Sequence, residues 1–389
     1  MHNKKNSWSN NDIIYHILID RFSSSKSDKN WKKPIFYGGT LKGINDKLPY
    51  LKNLGVTTLW ISPFYKTSAY HGYHITDYFS VDPHFGNESD LQTLIDRVHA
   101  NEMKIITDFV PNHCSKKHPF FIDAQINKNS KYKKWFYFKK WPNSYLSFLS
   151  FPEIPKLNLE NSDTYKHIID AAKYWLTFNF DGFRLDHVIG PSHKFWKKFH
   201  KEIKGINPNF KLIGEAWMAG IKYRELRTIN MKQKRLLWLL GNSSTKLLQS
   251  YINIFDGVLD FQGQQFLTKY ILNNYDQPTI TRLFQDHYNK FPNTYFLPLF
   301  LDNHDMNRFL FVINGNKKLL QKAAAMQFSL RQPVIIYYGT ETGMTQEQSI
   351  WDTPSHGDII AREPMNWNQI DEDMLLFYQQ LCHKRLLIN

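Results

Sequence analysis

Four apolar runs of the chain end in residues that could do chemistry. Asp108 to His113 (DFVPNH) close one, Arg184 and Asp186 a second, Glu215 a third, and His304 with Asp305 a fourth. A buried acid is costly unless it is paired, so three acids with an arginine and two histidines point to a reaction site rather than to structure alone. Two carboxyl groups flanking a glycosidic bond are the usual apparatus for its hydrolysis. One must stay ionised, and a neighbouring guanidinium favours that state. Arg184 lies two residues before Asp186, so in a strand both side chains face the same way. The other carboxyl must carry a proton to act on the leaving oxygen, which apolar surroundings and nearby negative charge favour; Glu215, between Gly214 and Ala216–Trp217, fits that role. A third acid could brace the sugar. A metal site of His and Asp ligands is the competing chemistry, but no HxxxH or closely spaced His/Asp pattern supports zinc.

The elements that must hold these residues can be read from the apolar spacing. Eight short runs have strand character: 13–22, 57–63, 104–110, 182–188, 211–217, 256–262, 294–305 and 333–339. Several are apolar almost throughout, as strands buried on both faces are. Between them lie helical stripes: Leu48, Leu51 and Leu54, ended by Gly55; 89–101 with Asn87 or Ser89 as N-cap; 163–178; Lys194 to Ile203; Leu319 to Leu330; and Met374 to Leu387. Eight strands alternating with helices predict an α/β fold, a (β/α)8 TIM barrel. In such a barrel the strand C-termini share one face, which is where the four polar clusters fall. The gap 114–162 is too long for a plain loop and rich in Phe, Tyr and Trp, so it reads as a small inserted domain B over that face, its aromatics mostly packing. The expected division is 1–113, first part of the barrel; 114–162, the insert; and 163–389, the rest of the barrel.

Composition narrows the classes. The chain has 389 residues, 42% of them hydrophobic and 16% aromatic, which rules out wholesale disorder. No apolar run nears the roughly 18 residues that span a bilayer, and mean hydropathy is −0.49. The N-terminal stretch MHNKKNSWSNNDII has lysines but no apolar segment behind them, so a soluble, cytoplasmic protein without membrane attachment is expected. Two cysteines, Cys114 and Cys382, exclude a disulfide scaffold and a Cys-based zinc cage. The net charge of +14 comes from scattered lysines; the densest group, Lys131, Lys133, Lys134, Lys139 and Lys140, reads as a solvated basic surface, and no nucleic-acid partner is expected.

At these residues the sequence resembles the α-amylase family, glycoside hydrolase family 13. DFVPNH is similar to its first conserved region, GFRLD to its second, GEAW to its third and FLDNHD to its fourth. IPKLN (154–158) resembles the short region near the end of domain B, and its Lys156 is like the neopullulanase and cyclomaltodextrinase branch. The resemblance runs in order from about residue 12 to residue 367. It implies Asp186 as nucleophile, Glu215 as general acid/base and Asp305 as transition-state stabiliser. It also implies that Arg184 orients the nucleophile, that His113 and His304 hydrogen-bond the sugar, and that Tyr73 stacks beneath it, with Asp77 in the same segment. No cofactor is implied for the chemistry. Asn112 matches a calcium ligand of many members, while Gly190 stands where those members carry a histidine that helps bind calcium. His187, directly after Asp186, is a strand position expected to point the other way. The β-sandwich usual after the barrel is not found, which leaves oligomerisation open.

The leading expectation is a retaining hydrolase of α-1,4 bonds, with α-1,6 bonds as the second linkage, in maltooligosaccharides, starch or related α-glucans, acting through a covalent glucosyl-enzyme. That mechanism requires carboxyl groups about 5–5.5 Å apart. The alternative is a glucanotransferase using the same intermediate with a sugar as acceptor. A non-catalytic amylase-like ancillary subunit fits less well, because all three acids are present and no membrane span is seen.

Overall fold

A computed structural model describes residues 7–24, 29–217, 244–352 and 357–387. Residues 1–6 of the N-terminal stretch read above for a leader lie outside them. The barrel strands are β1 (Ile13–Ile17), β2 (Thr58–Ile61), β5 (Lys104–Phe109), β8 (Gly182–Leu185), β9 (Lys211–Gly214), β10 (Gly257–Val258), β11 (Leu299–Phe300) and β12 (Val334–Tyr337). They form one sheet in the order β10-β9-β8-β5-β2-β1-β12-β11. Neighbouring strands run parallel: Ile14 pairs with Ile335 and Thr58, Arg184 with Ile213, and Gly257 with Ile213. Parallel strands joined by helices are the pattern of the (β/α)8 fold that the apolar runs predict.

Every strand is shorter than its run in the sequence, and three runs shorten most. The 13–22 run leaves the ladder after Ile17, because Asp20 accepts the N–H groups of Tyr37 and Gly38 and pairs with Arg21, which turns Ile19–Phe22 into a helix. In 256–262 the strand ends at Val258, because Asp260 caps the helix Phe261–Ile271 through the Gly263 N–H. In 294–305 only Leu299–Phe300 pair as strand.

The chain divides into two compact units. One comprises Met1–Ser62, His84–Ile106 and Leu259–Asn389. Within it β2, β1, β12 and β11 lie side by side and β5 begins. Its helix Leu48–Leu54 ends on Gly55 at φ 92°, the left-handed C-cap that the sequence indicates. Helix Glu88–Ala100 starts with a reciprocal capping box of Asn87 and Asp90, and buries Leu91, Leu94, Ile95 and Val98. The other unit comprises Pro63–Pro83 and Thr107–Val258. It holds the end of β5, the parallel strands β8, β9 and β10, and an antiparallel ribbon of β3 (Tyr65–Thr67) and β4 (Ile75–Val81). Helix Ser162–Leu176, capped by Asn161, packs Trp175 so that its indole N–H reaches the Tyr78 carbonyl at 2.7 Å.

The segment 114–162 sits in this second unit. It contains helix Pro119–Ile126, a 3-10 turn Lys131–Trp135 and a small hairpin of β6 (Phe138–Lys140) with β7 (Ser144–Tyr145). Phe121, Trp135 and Phe136 are buried, and Phe120 stacks on Tyr132 at 4.0 Å, so these rings are packing. Phe151 is the exception, more than half exposed.

Candidate functional site

In the second unit the polar residues converge on one guanidinium. β8 carries Arg184, and Asp186 follows just past its end on the same side, as the two-residue spacing requires. Arg184 Nη1 donates to Asp186 Oδ1 at 2.9 Å and to Asp108 Oδ1 at 2.5 Å. Its Nη2 pairs with Glu215 Oε1, one residue beyond β9. Asp108, on β5, also accepts the Tyr73 hydroxyl at 3.0 Å. All five side chains are nearly inaccessible: Asp108 0%, Arg184 1%, Glu215 6%, Asp186 7% and Tyr73 9% exposed. Burial by itself disfavours the Arg184 charge, but Asp108, Glu215, Tyr73 and Asp186 outweigh it and lift its pKa well above the ordinary value. The guanidinium is therefore a permanent cation shared among three carboxyl groups.

This corrects one sequence argument. Glu215 does not stand in apolar surroundings; it is ion-paired to Arg184 and accepts the His187 N–H on Oε2 at 3.0 Å. Asp108 was missed as a site residue, although it lies in the DFVPNH run that drew attention to His113. Its link to Arg184 spans 76 residues, and no local pattern shows such a pairing.

His113 and Asn112 form the neighbouring corner. Lys156 Nζ lies 2.9 Å from Asn112 Oδ1 and 2.9 Å from the Gly190 carbonyl. With Oδ1 so engaged, the Asn112 amide nitrogen faces His113 Nδ1 at 3.2 Å. Nδ1 then accepts, and the imidazole proton sits on Nε2. Burial first, then His74 and Lys156, lower the His113 pKa to about 3, so the ring is neutral at any working pH. Burial alone lowers Lys156 to about 7. A calcium ion does not fit here. Asn112 Oδ1 and the Gly190 carbonyl are oxygens of the kind calcium takes, but both are committed to the Lys156 amine. Among the described residues no group of three or more His, Cys, Asp or Glu side chains is arranged to hold a metal. Gly190 is also explained: a Cβ there would lie 2.1 Å from Asn112 Oδ1 and 2.8 Å from the His187 ring.

His187 is not the extended strand residue that the alternation argument assumes. Its φ is 44°, a left-handed conformation that breaks the strand alternation. The ring lies edge-on to Phe148 at 4.5 Å, and Phe148 lies 4.7 Å from His113. Asp77 plays a local part, accepting the Phe79 N–H and the Ser80 hydroxyl.

His304 and Asp305 belong to the first unit. His304 Nε2 lies 3.1 Å from Asp305 Oδ2, and Arg362 Nη2 lies 2.9 Å from Oδ1. Arg362 Nε also donates to the His304 carbonyl at 2.8 Å, so one arginine holds both residues. The His304 ring meets His16 edge-on at 4.9 Å, and His16 stacks flat on Trp60 at 3.7 Å. The Asp305 side chain is 31% exposed. Arg362, 57 residues downstream, carried no signal in the sequence.

Comparison with known proteins identifies the chain. The family description "Alpha amylase, catalytic domain" matches residues 16–374. The chain belongs to the α-amylase family. Alpha-amylase 2 of Dictyoglomus thermophilum is 36% identical over 386 residues, covering 97% of this chain and 63% of that protein. Neopullulanase 2 of Thermoactinomyces vulgaris is 29% identical, again over 97% of this chain and 63% of its own length. The chain thus spans just under two thirds of these two curated relatives. Among solved structures, the α-amylase of Geobacillus thermoleovorans complexed with acarbose superposes with a TM-score of 0.80 at 28% identity, over 97% of this chain and 79% of that one. The α-amylase family is the one that the four strand-end motifs indicate, and its catalytic-domain match takes in every candidate residue from Tyr73 to Asp305.

Proposed function

We propose that this α-amylase family chain is a retaining hydrolase of α-glucosidic bonds in maltooligosaccharides and related α-glucans. The observation that carries the reading is the pair of strand-end carboxyls, Asp186 and Glu215, held by opposite nitrogens of one Arg184 guanidinium. Two carboxyls bound to one planar fork are close together, which suits the retaining geometry better than the wider spacing that leaves room for a water. Asp186 is the nucleophile, kept ionised by Arg184. Glu215 donates its proton to the leaving oxygen and then takes one from water. Three carboxyls around one guanidinium cannot all ionise at low cost, so a proton is retained in the cluster for that first step. Asp305, braced by Arg362 and His304, binds the sugar hydroxyls as oxocarbenium charge develops. His113, with its proton on Nε2, is a neutral donor to the sugar, and Tyr73, anchored through Asp108, presents its ring face. The segment 114–162 is the inserted domain B, between barrel segments 1–113 and 163–389. The names of the relatives, an amylase and a neopullulanase, support the substrate class.

Chromatography of maltoheptaose digests tests this. Wild type should release shorter maltooligosaccharides that keep the α-configuration at the new reducing end. Glu215→Gln should lower the rate at least about 100-fold, the scale of general acid catalysis. A β-configured product would exclude the covalent intermediate, and products longer than the substrate would indicate transfer.

A further inference from the structure

His187 is a buried polar residue of the second unit, next to the proposed nucleophile, to which the proposed chemistry gives no task. Strand β8 ends at Leu185, and Asp186 sends its N–H to the Phe109 carbonyl at 2.9 Å. At the next residue φ turns to 44°, where the Cβ of an L-residue crowds its own backbone. The turn has a result that an extended residue would not give. The His187 N–H reaches Glu215 Oε2 at 3.0 Å, and the Val188 N–H then reaches the Glu215 backbone carbonyl at 3.1 Å. Consecutive N–H groups thus hold the side chain and the main chain of one residue. In an extended strand, successive N–H groups point to opposite edges and could not both do so.

We propose that His187 is a positioning residue for Glu215: its left-handed backbone aims a buried N–H at Oε2 and fixes the carboxyl against Arg184. The importance of that position for catalysis rests on the acid/base role proposed for Glu215; the contact itself does not. With Arg184 on Oε1 and His187 N–H on Oε2, the carboxyl is gripped at both oxygens and cannot swing. The imidazole serves the turn. It packs edge-on against Phe148, covers Gly190, and the Gly190 N–H closes the turn onto the His187 carbonyl at 3.0 Å.

The test separates backbone from ring. His187→Gly and His187→Asn delete the imidazole but accept the left-handed conformation readily; His187→Ala resists it, and His187→Val, β-branched, resists it most. The charged groups facing Glu215 (Arg184, Asp186 and Asp108) are untouched in all four. On maltoheptaose, kcat should fall less than threefold for Gly and Asn, about tenfold for Ala, which is about 1.4 kcal/mol of barrier, and further for Val. The basic limb of the kcat/KM profile should move up in Ala and Val and stay in Gly and Asn, because a lost N–H donor favours the protonated carboxyl. Equal losses in Gly and Val, or an unmoved limb in Ala, would overturn the proposal. Should Val not fold, the Ala and Gly pair decides. A second readout does not need activity: 13C-glutamate NMR titration of Glu215, assigned by its disappearance in Glu215→Gln. A titration unmoved between Gly and Ala sinks the positioning role, whereas an inactive wild type with the expected titration shift sinks only the hydrolase reading.

Discussion

The two places where the α-amylase family acids sit are built on opposite principles. Around Arg184 three carboxyls and a tyrosine share one cation in a nearly dry environment. Around Asp305 one carboxyl is held by an arginine and a histidine, with 31% of its side chain open to solvent. The first arrangement cannot lose a member without stranding the others, because a buried charge left without its partner pays its full desolvation cost. The second can lose its acid and be rehydrated. Burial ties stability to chemistry at the first place and separates them at the second.

The largest effect that would break this contrast is at Arg184. Arg184→Lys keeps the charge but replaces a planar fork by a single ammonium that cannot reach three carboxyls with fixed geometry. We expect kcat/KM on maltoheptaose to fall at least about 1000-fold, with a stability loss of about 3–5 kcal/mol by urea unfolding. A stable, active Lys variant would mean that the cluster is not the rigid centre described.

Asp305→Asn should show the opposite signature. Activity should fall about 100-fold, as for loss of one transition-state contact, while Tm moves by no more than about 2 °C, because a pair whose carboxyl is partly open to solvent contributes little to stability. A large fall in Tm would erase the distinction between the two places.

The smallest effect concerns pH and sharpens the comparison further. Burial lowers the Lys156 pKa to about 7 from an unfolded value near 10.5. Between those values the unfolded chain binds a proton that the folded chain does not, so this group makes stability rise with pH across that window, and its penalty is full below about pH 7. Lys156→Met should remove this slope. Urea midpoints at pH 6.5 and 9.5 should show wild type gaining on the variant at the higher pH, by at most about 1.4 kcal/mol per pH unit. Asp305→Asn should show no such divergence.

Much of this was open to reading from the chain alone. The acids stand out because each interrupts or ends an apolar run, and the helix caps at Asn87 and Gly55 follow from local rules. What stayed hidden depends on distant partners or on backbone torsion. Asp108 and Arg362 matter through contacts 76 and 57 residues away. The environment of Glu215 was half legible: the nearby negative charge was expected, but its apolar sequence neighbours hid the ion pair with Arg184. His187 was read as a strand position, but the strand ends at Leu185 and strand alternation assumes a negative φ, whereas here φ is positive.

The Lys156 amine, seated between Asn112 and the Gly190 carbonyl, has one more consequence. A bound ion has a dissociation constant, and its occupancy falls as the surroundings are depleted of it. An amine on a covalent tether has an effective local concentration that no dilution changes. This corner of the domain is therefore assembled as the chain folds, in the same way in a calcium-poor medium as in a calcium-rich one, and the variable to which it answers is the proton.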